Sequence, residues 1–203
     1  MMNFAIFVSG RGSNMAALLE ACASGRILGQ PRLVFSNKAS APALERAAAM
    51  GYSIASADPK TFATREDYDA HVVQILREHQ INAVVLAGYM RIVTSTFLDA
   101  FPDAVINIHP ALLPSFPGVD GVKKAWDYGV KVAGCTVHFV DPLVDHGPII
   151  VQRALVVEQE WDDKQLAAEI LALEHEALID AVALFAAGRL QICGRRVRIS
   201  QEL

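Results

Sequence analysis

Apolar positions along this chain occur either in short unbroken runs or in longer stretches where they recur every third or fourth residue. The first pattern marks strands buried on both faces of a sheet and the second marks amphipathic helices. Phe4 to Ser9 is an unbroken run ended by Gly10. After Gly10-Arg11-Gly12-Ser13-Asn14, the spacing of Met15, Leu18, Leu19 and Cys22 predicts a helix from Met15 to Ala23. Arg32 to Ser36 and Ala43 to Met50 repeat strand and helix, with a weak strand about Ser53 to Ala55. Thr64 is placed to cap a helix from Arg65 to Glu78, whose first turn holds Glu66 and Asp67 where the dipole favours acids. Ala83 to Ala87 predicts another buried strand, Ser95 to Ala100 a short helix, and Val105 to Ile108 a central strand.

Beyond Pro117-Gly118 the pattern predicts a helix from Val122 to Tyr128 that stops near Gly129, then a long strand from Val132 to Val140. The segment Asp141 to Pro148 is short enough to join it antiparallel to a strand from Ile149 to Val156. Asp162 with Gln165 resembles a capping box, opening a helix to about Ala187 that Gly188 ends; Arg195 to Ile199 reads as an edge strand. No repeat, low-complexity tract or linker interrupts the order. The expected fold is α/β: a Rossmann-like mixed, mostly parallel sheet with helices on both faces and an antiparallel strand pair late in the chain. A single domain over 1–203 is expected, with a phosphate-binding half over about 1–100 and a catalytic half over about 101–203.

Composition narrows the class. With 203 residues, 53% of them hydrophobic, the chain can bury a sizeable core. A net charge of -4 without any run of Lys or Arg removes the electrostatic footprint of a duplex nucleic-acid binder. Cys22, Cys135 and Cys193 form no Cys-x-x-Cys pair and are odd in number, which argues against a disulfide framework or structural zinc and suits a reducing cytoplasm. Met1 to Ser9 lacks a basic leader and reaches Gly10 too soon for a signal peptide. No segment carries the roughly 18 apolar residues of a membrane span.

Candidate chemistry gathers at three loops. Strand alternation puts Asn107 and His109 on one side, and Pro110 ends the strand with His109 at the sheet's carboxyl edge, where open α/β sheets bind ligands. Taken alone, His109 reads as a buried histidine satisfied by a backbone partner; Asn107 beside it favours function. The amides of Gly12, Ser13 and Asn14 at a helix start form an anion cradle, unless Ser13 or Asn14 merely caps the helix. Met15 stands where a dinucleotide fingerprint needs a third glycine, and no Lys-Ser/Thr pair completes a phosphate loop of the Walker type. Asp145, which by itself is an ordinary turn carboxylate, is expected to pair with His109, raising the imidazole pKa while its own falls. Asn107 then supplies a neutral donor for an oxyanion. Ser115 in a loop and Cys135 inside a strand are poor nucleophiles, so no covalent acyl-enzyme is expected.

Ser9-Gly-Arg-Gly-Ser-Asn14, Leu86-Ala-Gly-Tyr-Met-Arg91, Asn107-Ile-His-Pro-Ala-Leu-Leu-Pro114 and Val137-His-Phe-Val-Asp141 with Asp145 and Gly147-Pro-Ile149 together resemble the folate-dependent formyltransferases. The Gly-Arg-Gly-Ser-Asn loop narrows the likeness to the phosphoribosylglycinamide formyltransferase branch, over nearly the whole chain. The resemblance implies transfer of a formyl group from 10-formyltetrahydrofolate to the amine of 5-phosphoribosylglycinamide in purine biosynthesis. It implies Asn107, His109 and Asp145 as catalytic residues, Gly12, Ser13 and Asn14 under the substrate phosphate, and Pro110 and Glu174 elsewhere on that substrate; His175 reads as structural. The pterin is expected between Leu86, Tyr89, Met90, Arg91, Ile92 and Val93 on one side and Val140, Asp141 and Val144 on the other. Leu86 and Ile92 are equally readable as plain core, and Arg91 as a solvated arginine. No metal, nucleic acid or membrane is expected, no additional domain, and a monomer or homodimer. Formyltetrahydrofolate hydrolase and sugar-nucleotide formyltransferase are the nearest alternatives; a non-catalytic phosphoribonucleotide-binding module is the alternative of a different class. His146 departs from the small or polar residue associated with its position, and Val119-Asp120-Gly121 replaces a His-rich loop.

Overall fold

Phe4 to Val8 are wholly buried in the computed structural model, which describes residues 1–200. They belong to strand β1 (Met2–Val8), flanked in parallel by β2 (Gly29–Ser36) and β4 (Ala83–Leu86), with β3 (Ile54–Ser56) outside β2. A strand with neighbours on both edges and apolar cover on both faces must be apolar throughout, which is why its sequence shows no alternation. The register of β1 against β2 slips between Phe4 and Ala5, opposite Pro31, which has no N–H for the ladder. Phe7 gathers the core of this first unit, with ring centroids of Phe35, Tyr89 and Phe97 at 4.7, 5.1 and 5.7 Å. Each such pair adds about 0.5–1.5 kcal/mol beyond simple burial.

Helices α1 (Ser13–Ala23), α2 (Pro42–Ala49), α3 (Arg65–Glu78) and α4 (Ser95–Ala100) complete that unit, which runs from Met1 to Ile106. Pro42 opens α2 where its missing N–H costs nothing, and the Thr64 hydroxyl accepts the Asp67 N–H at 3.0 Å to start α3.

The second unit begins at Asn107, inside β5 (Val105–His109). Its strand order is β5, β6 (Val132–Phe139), β7 (Ile149–Val156), β9 (Arg196–Ile199) and β8 (Leu190–Cys193). β6 and β7 are antiparallel, as the short connection requires, and so are β8 and β9. The expected edge strand near Arg195 to Ile199 is corrected: β9 lies between β7 and β8, and the outermost strand is β8, which was not anticipated. Helix α5 (Gly121–Tyr128) ends at Gly129 with φ 78°, a left-handed cap that suits glycine. Helix α6 (Asp163–Ala186) packs on β6 and β7. Its capping box is only half made: Asp162 accepts the Gln165 N–H at 2.8 Å, but the Gln165 side chain turns to Glu169 at 2.7 Å. Among the described residues no helix is long and apolar enough to cross a membrane.

Candidate active site

β5 delivers Asn107 and His109 two residues apart, so both side chains leave the same side of the strand. The carboxylate of Asp145, from the turn between β6 and β7, receives both. His109 Nδ1 is 3.2 Å from Asp145 Oδ2, and Asn107 Nδ2 donates to Asp145 Oδ1 at 3.4 Å. The Gly118 N–H donates to Oδ2 at 2.7 Å, and the other ring nitrogen of His109, Nε2, donates to the Phe116 carbonyl at 2.8 Å. The Pro-punctuated loop after β5 therefore returns to hold both members of the pair. Thr136, fully buried on β6, fixes that loop by donating to the Ala111 carbonyl at 2.7 Å and accepting the Leu113 N–H at 3.0 Å.

His109 faces an acceptor with each ring nitrogen, and only the imidazolium satisfies both. Burial opposes that charge and takes the pKa below 6.5; the Phe116 carbonyl and the Asp145 carboxylate pull it upward without overcoming the loss of water. The expectation that pairing raises the His109 pKa is thus corrected, because the ring is 4% exposed and desolvation is the larger effect. Asp145 behaves as expected. Burial pushes its pKa up, but the His138 ring, the Gly118 N–H and the His109 ring outweigh it and hold the carboxyl below the usual value. A carboxylate kept charged beside a ring whose hold on its proton burial weakens can pass a proton across one short contact.

His138 on β6 was not anticipated as part of this group. It is 2% exposed, its Nδ1 donates to the Phe139 carbonyl at 2.8 Å, and its Nε2 accepts from Asn107 Nδ2 at 3.2 Å, with Asp145 Oδ1 3.7 Å away. The Phe139 bond fixes the ring, and its Nε2 orients the Asn107 amide. A histidine inside a mostly apolar strand was the available signal. The Phe116 carbonyl and Gly118 N–H are backbone groups, which side-chain patterns do not mark.

The first unit carries the glycine turn. Gly12 has φ 74° and is the N-cap of α1, with Ser13 and Asn14 in the first turn behind it. The amides of the turn stand at the positive end of α1, a place suited to an anion. Gly12 is also sterically required, because a Cβ there would lie 2.5 Å from the Ala43 Cβ. Gly12→Ala should destabilise the chain by roughly 2–4 kcal/mol, the sum of left-handed strain and overpacking. Urea unfolding with an unchanged midpoint would show that α2 gives way instead.

Leu86, Tyr89 and Val93 are buried, whereas Met90 and Ile92 are exposed. The Ser9 hydroxyl accepts the Met90 N–H at 2.8 Å and donates to Asn37 at 2.6 Å, and Arg65 donates to the Ile92 carbonyl at 2.8 Å, so this segment's backbone is held from both sides. Tyr89 and Tyr68 share a hydroxyl bond at 2.9 Å, and Arg91 stacks 4.7 Å over the Tyr68 ring, so it is not simply solvated. In the second unit Val140 and Asp141 are half-buried, Val144 is exposed, and Pro110 lines an open cavity of about 410 Å³ with Phe116 and Tyr128. Glu174 is buried on α6. Burial, reinforced by the Glu174 charge, pushes the Cys135 thiol up to about 12, which leaves it protonated and no nucleophile. Among the described residues no group of three or more His, Cys, Asp or Glu side chains is arranged to hold a metal ion.

Comparison with known proteins gives concordant matches. The family described as formyl transferase matches residues 2–182. Phosphoribosylglycinamide formyltransferase of Bacillus subtilis (strain 168) is 38% identical over 176 residues, covering 87% of this chain and 90% of the relative. The protein of the same name from Escherichia coli (strain K12) is 36% identical over 191 residues, covering 94% and 90%. Among solved structures, glycinamide ribonucleotide transformylase 1 from Symbiobacterium toebii superimposes with a TM-score of 0.97 at 45% identity, covering 99% of this chain and 95% of its own.

Proposed function

The chain belongs to the formyl transferase family, and on that footing we propose that it transfers a formyl group from 10-formyltetrahydrofolate to the amine of 5-phosphoribosylglycinamide, a step of purine biosynthesis. The observation that carries the reading is the shared carboxylate. Asp145 lies 3.2 Å from His109 through one oxygen and accepts from Asn107 through the other, so a neutral donor, an ionisable ring and a proton acceptor meet at one carboxylate.

The neutral amine attacks the formyl carbon, and the carbonyl electron pair moves onto oxygen. Asn107 and His109 stabilise the resulting oxyanion. Burial lowers the His109 pKa in the free chain and negative charge developing on the substrate opposes that effect, so the proton released by the attacking amine can rest on the His109–Asp145 pair while the oxyanion stands. The ring therefore gains most when charge on the substrate is greatest, which is the condition for lowering a barrier. The proton leaving the attacking nitrogen passes to Asp145 through a water and reaches the folate nitrogen as its bond to the formyl carbon breaks. One N–C bond forms, one breaks, and the proton changes nitrogen, so no net acid or base is consumed. Holding both reactants in place accounts for much of the remaining acceleration.

In this reading the amides of Gly12, Ser13 and Asn14 hold the substrate phosphate, and Pro110 and Glu174 line its ribose and amine end. On the first unit, Leu86 and the backbone of Tyr89 to Val93 receive the pterin. The reaction takes place in the cytoplasm and uses no metal.

A spectrophotometric assay of folate deformylation, run with and without 5-phosphoribosylglycinamide, tests this directly. Product should form only with the amine present, in equal amounts with formylated ribonucleotide. Formate released without an acceptor would establish a hydrolase instead, and ribonucleotide binding without folate turnover a non-catalytic module.

A further inference from the structure

Outside the catalytic set, the second unit holds a cluster in which His146 joins Arg195 to Asp141, and neither His146 nor Arg195 has a part in the chemistry above. Asp141 and His146 bracket Asp145 along the turn. Asp141 Oδ1 accepts the Leu143 N–H at 3.0 Å, and its Oδ2 accepts from His146 Nδ1 at 2.7 Å, so one carboxylate ties the start of the turn to its end. Arg195, from the turn between β8 and β9, donates to the His146 carbonyl at 2.5 Å. The same Nη1 atom lies 3.1 Å from His146 Nδ1 and 3.3 Å from Nε2. An atom nearly equidistant from both ring nitrogens at that range sits over the ring face, so the guanidinium covers an imidazole whose edge is bonded to Asp141.

The peptide that follows Asp145 is pinned from the other side as well. A Cβ on Gly147 would come within 1.8 Å of the Phe139 carbonyl oxygen, so this turn lies flat against the end of β6. Asp145 itself has φ 50°, a left-handed conformation that costs some strain even for an aspartate and that surrounding contacts help to hold. Relaxation of that angle would swing the carboxylate away from His109 Nδ1 and the Gly118 N–H. Arg195 is exposed and His146 nearly half exposed, so the cluster adds little to the core.

We propose that Arg195 and His146 are positioning residues: together with Asp141 they form a brace, closed by the β8–β9 turn, that holds Asp145 in its left-handed conformation and its carboxylate against His109. The proposal rests on the role given to Asp145 above. It also gives β8 and β9 a function, since their connecting turn carries the arginine.

Full-length Arg195→Ala, Arg195→Lys and His146→Ala variants test it with two readouts, amide hydrogen exchange over residues 143–147 and steady-state kinetics. In Arg195→Ala the exchange of this segment should quicken by about tenfold or more. Its kcat should fall about tenfold while KM for the ribonucleotide stays within about twofold. Arg195→Lys keeps a donor for the carbonyl but not the guanidinium over the ring, and should recover part of kcat. His146→Ala keeps the bond from Arg195 to the backbone and should lose less than Arg195→Ala. Wild-type exchange in Arg195→Ala would overturn the brace whatever the assay shows, and faster exchange with kcat intact would overturn the positioning role. If the wild-type chain moves no formyl group, the functional reading fails, and the exchange data alone then decide whether the brace exists.

Discussion

Replacing Asn107 by alanine lowers kcat by roughly 10²- to 10³-fold, the loss that follows removal of one oxyanion donor. Its amide is half-buried at the end of β5 and is aimed by His138 Nε2 and Asp145 Oδ1, both of which accept from it. Those two bonds are long, 3.2 and 3.4 Å, so little is given up when an N–H turns to a substrate oxygen that has gained charge. An interaction made chiefly with the transition state moves kcat and leaves KM for the ribonucleotide nearly unchanged. The substitution also leaves a buried imidazole nitrogen unpaired, so a modest loss of stability accompanies the kinetic one. Near-normal turnover in a folded variant would remove Asn107 from the mechanism.

Asp145→Asn is expected to cut kcat by at least about 10²-fold and to change the shape of its pH dependence. In the wild type burial holds the His109 pKa below the ordinary histidine value, so the neutral ring persists to lower pH, and the acid limb of kcat reports protonation of the His109–Asp145 pair as a unit. The Asp145 charge pulls the His109 pKa upward against burial. Without it, burial and the neighbouring His138 and Lys124 act with less opposition, the ring titrates at still lower pH, and the acid limb moves in the acidic direction. The backbone tolerates the change, since asparagine enters the left-handed region as readily as aspartate. A profile that is merely scaled down, with its acid limb in the wild-type place, would demote Asp145 to a turn residue.

Local signals in the sequence were strong wherever one residue determines one bond. Thr64 before Arg65, Pro42 at a helix start and Gly129 at a helix end each mark a boundary through backbone chemistry that needs no partner elsewhere. The alternation that brings Asn107 and His109 to one side is equally local. What was not legible depends on the third dimension. β8 is a short strand between Gly188 and Gly194, and its place outside β9 follows from pairing, not from its own four residues. The Phe116 carbonyl and Gly118 N–H enter the site because a loop doubles back. The His109 pKa went the other way because a sequence shows the partner carboxylate but not how much water the ring has lost. Arg195 lies 49 positions from His146, too far along the chain for any spacing rule to join them.

The left-handed backbone at Asp145 limits what can stand there. Glutamate, the commonest acidic replacement, would both overreach His109 and resist the required φ, whereas glycine and asparagine accept the angle but bring no carboxylate. A library randomised at codon 145 and sorted for folded protein should therefore be enriched in members that are well behaved and inert. Recovery of activity from such a pool would call for a compensating acid at a second position.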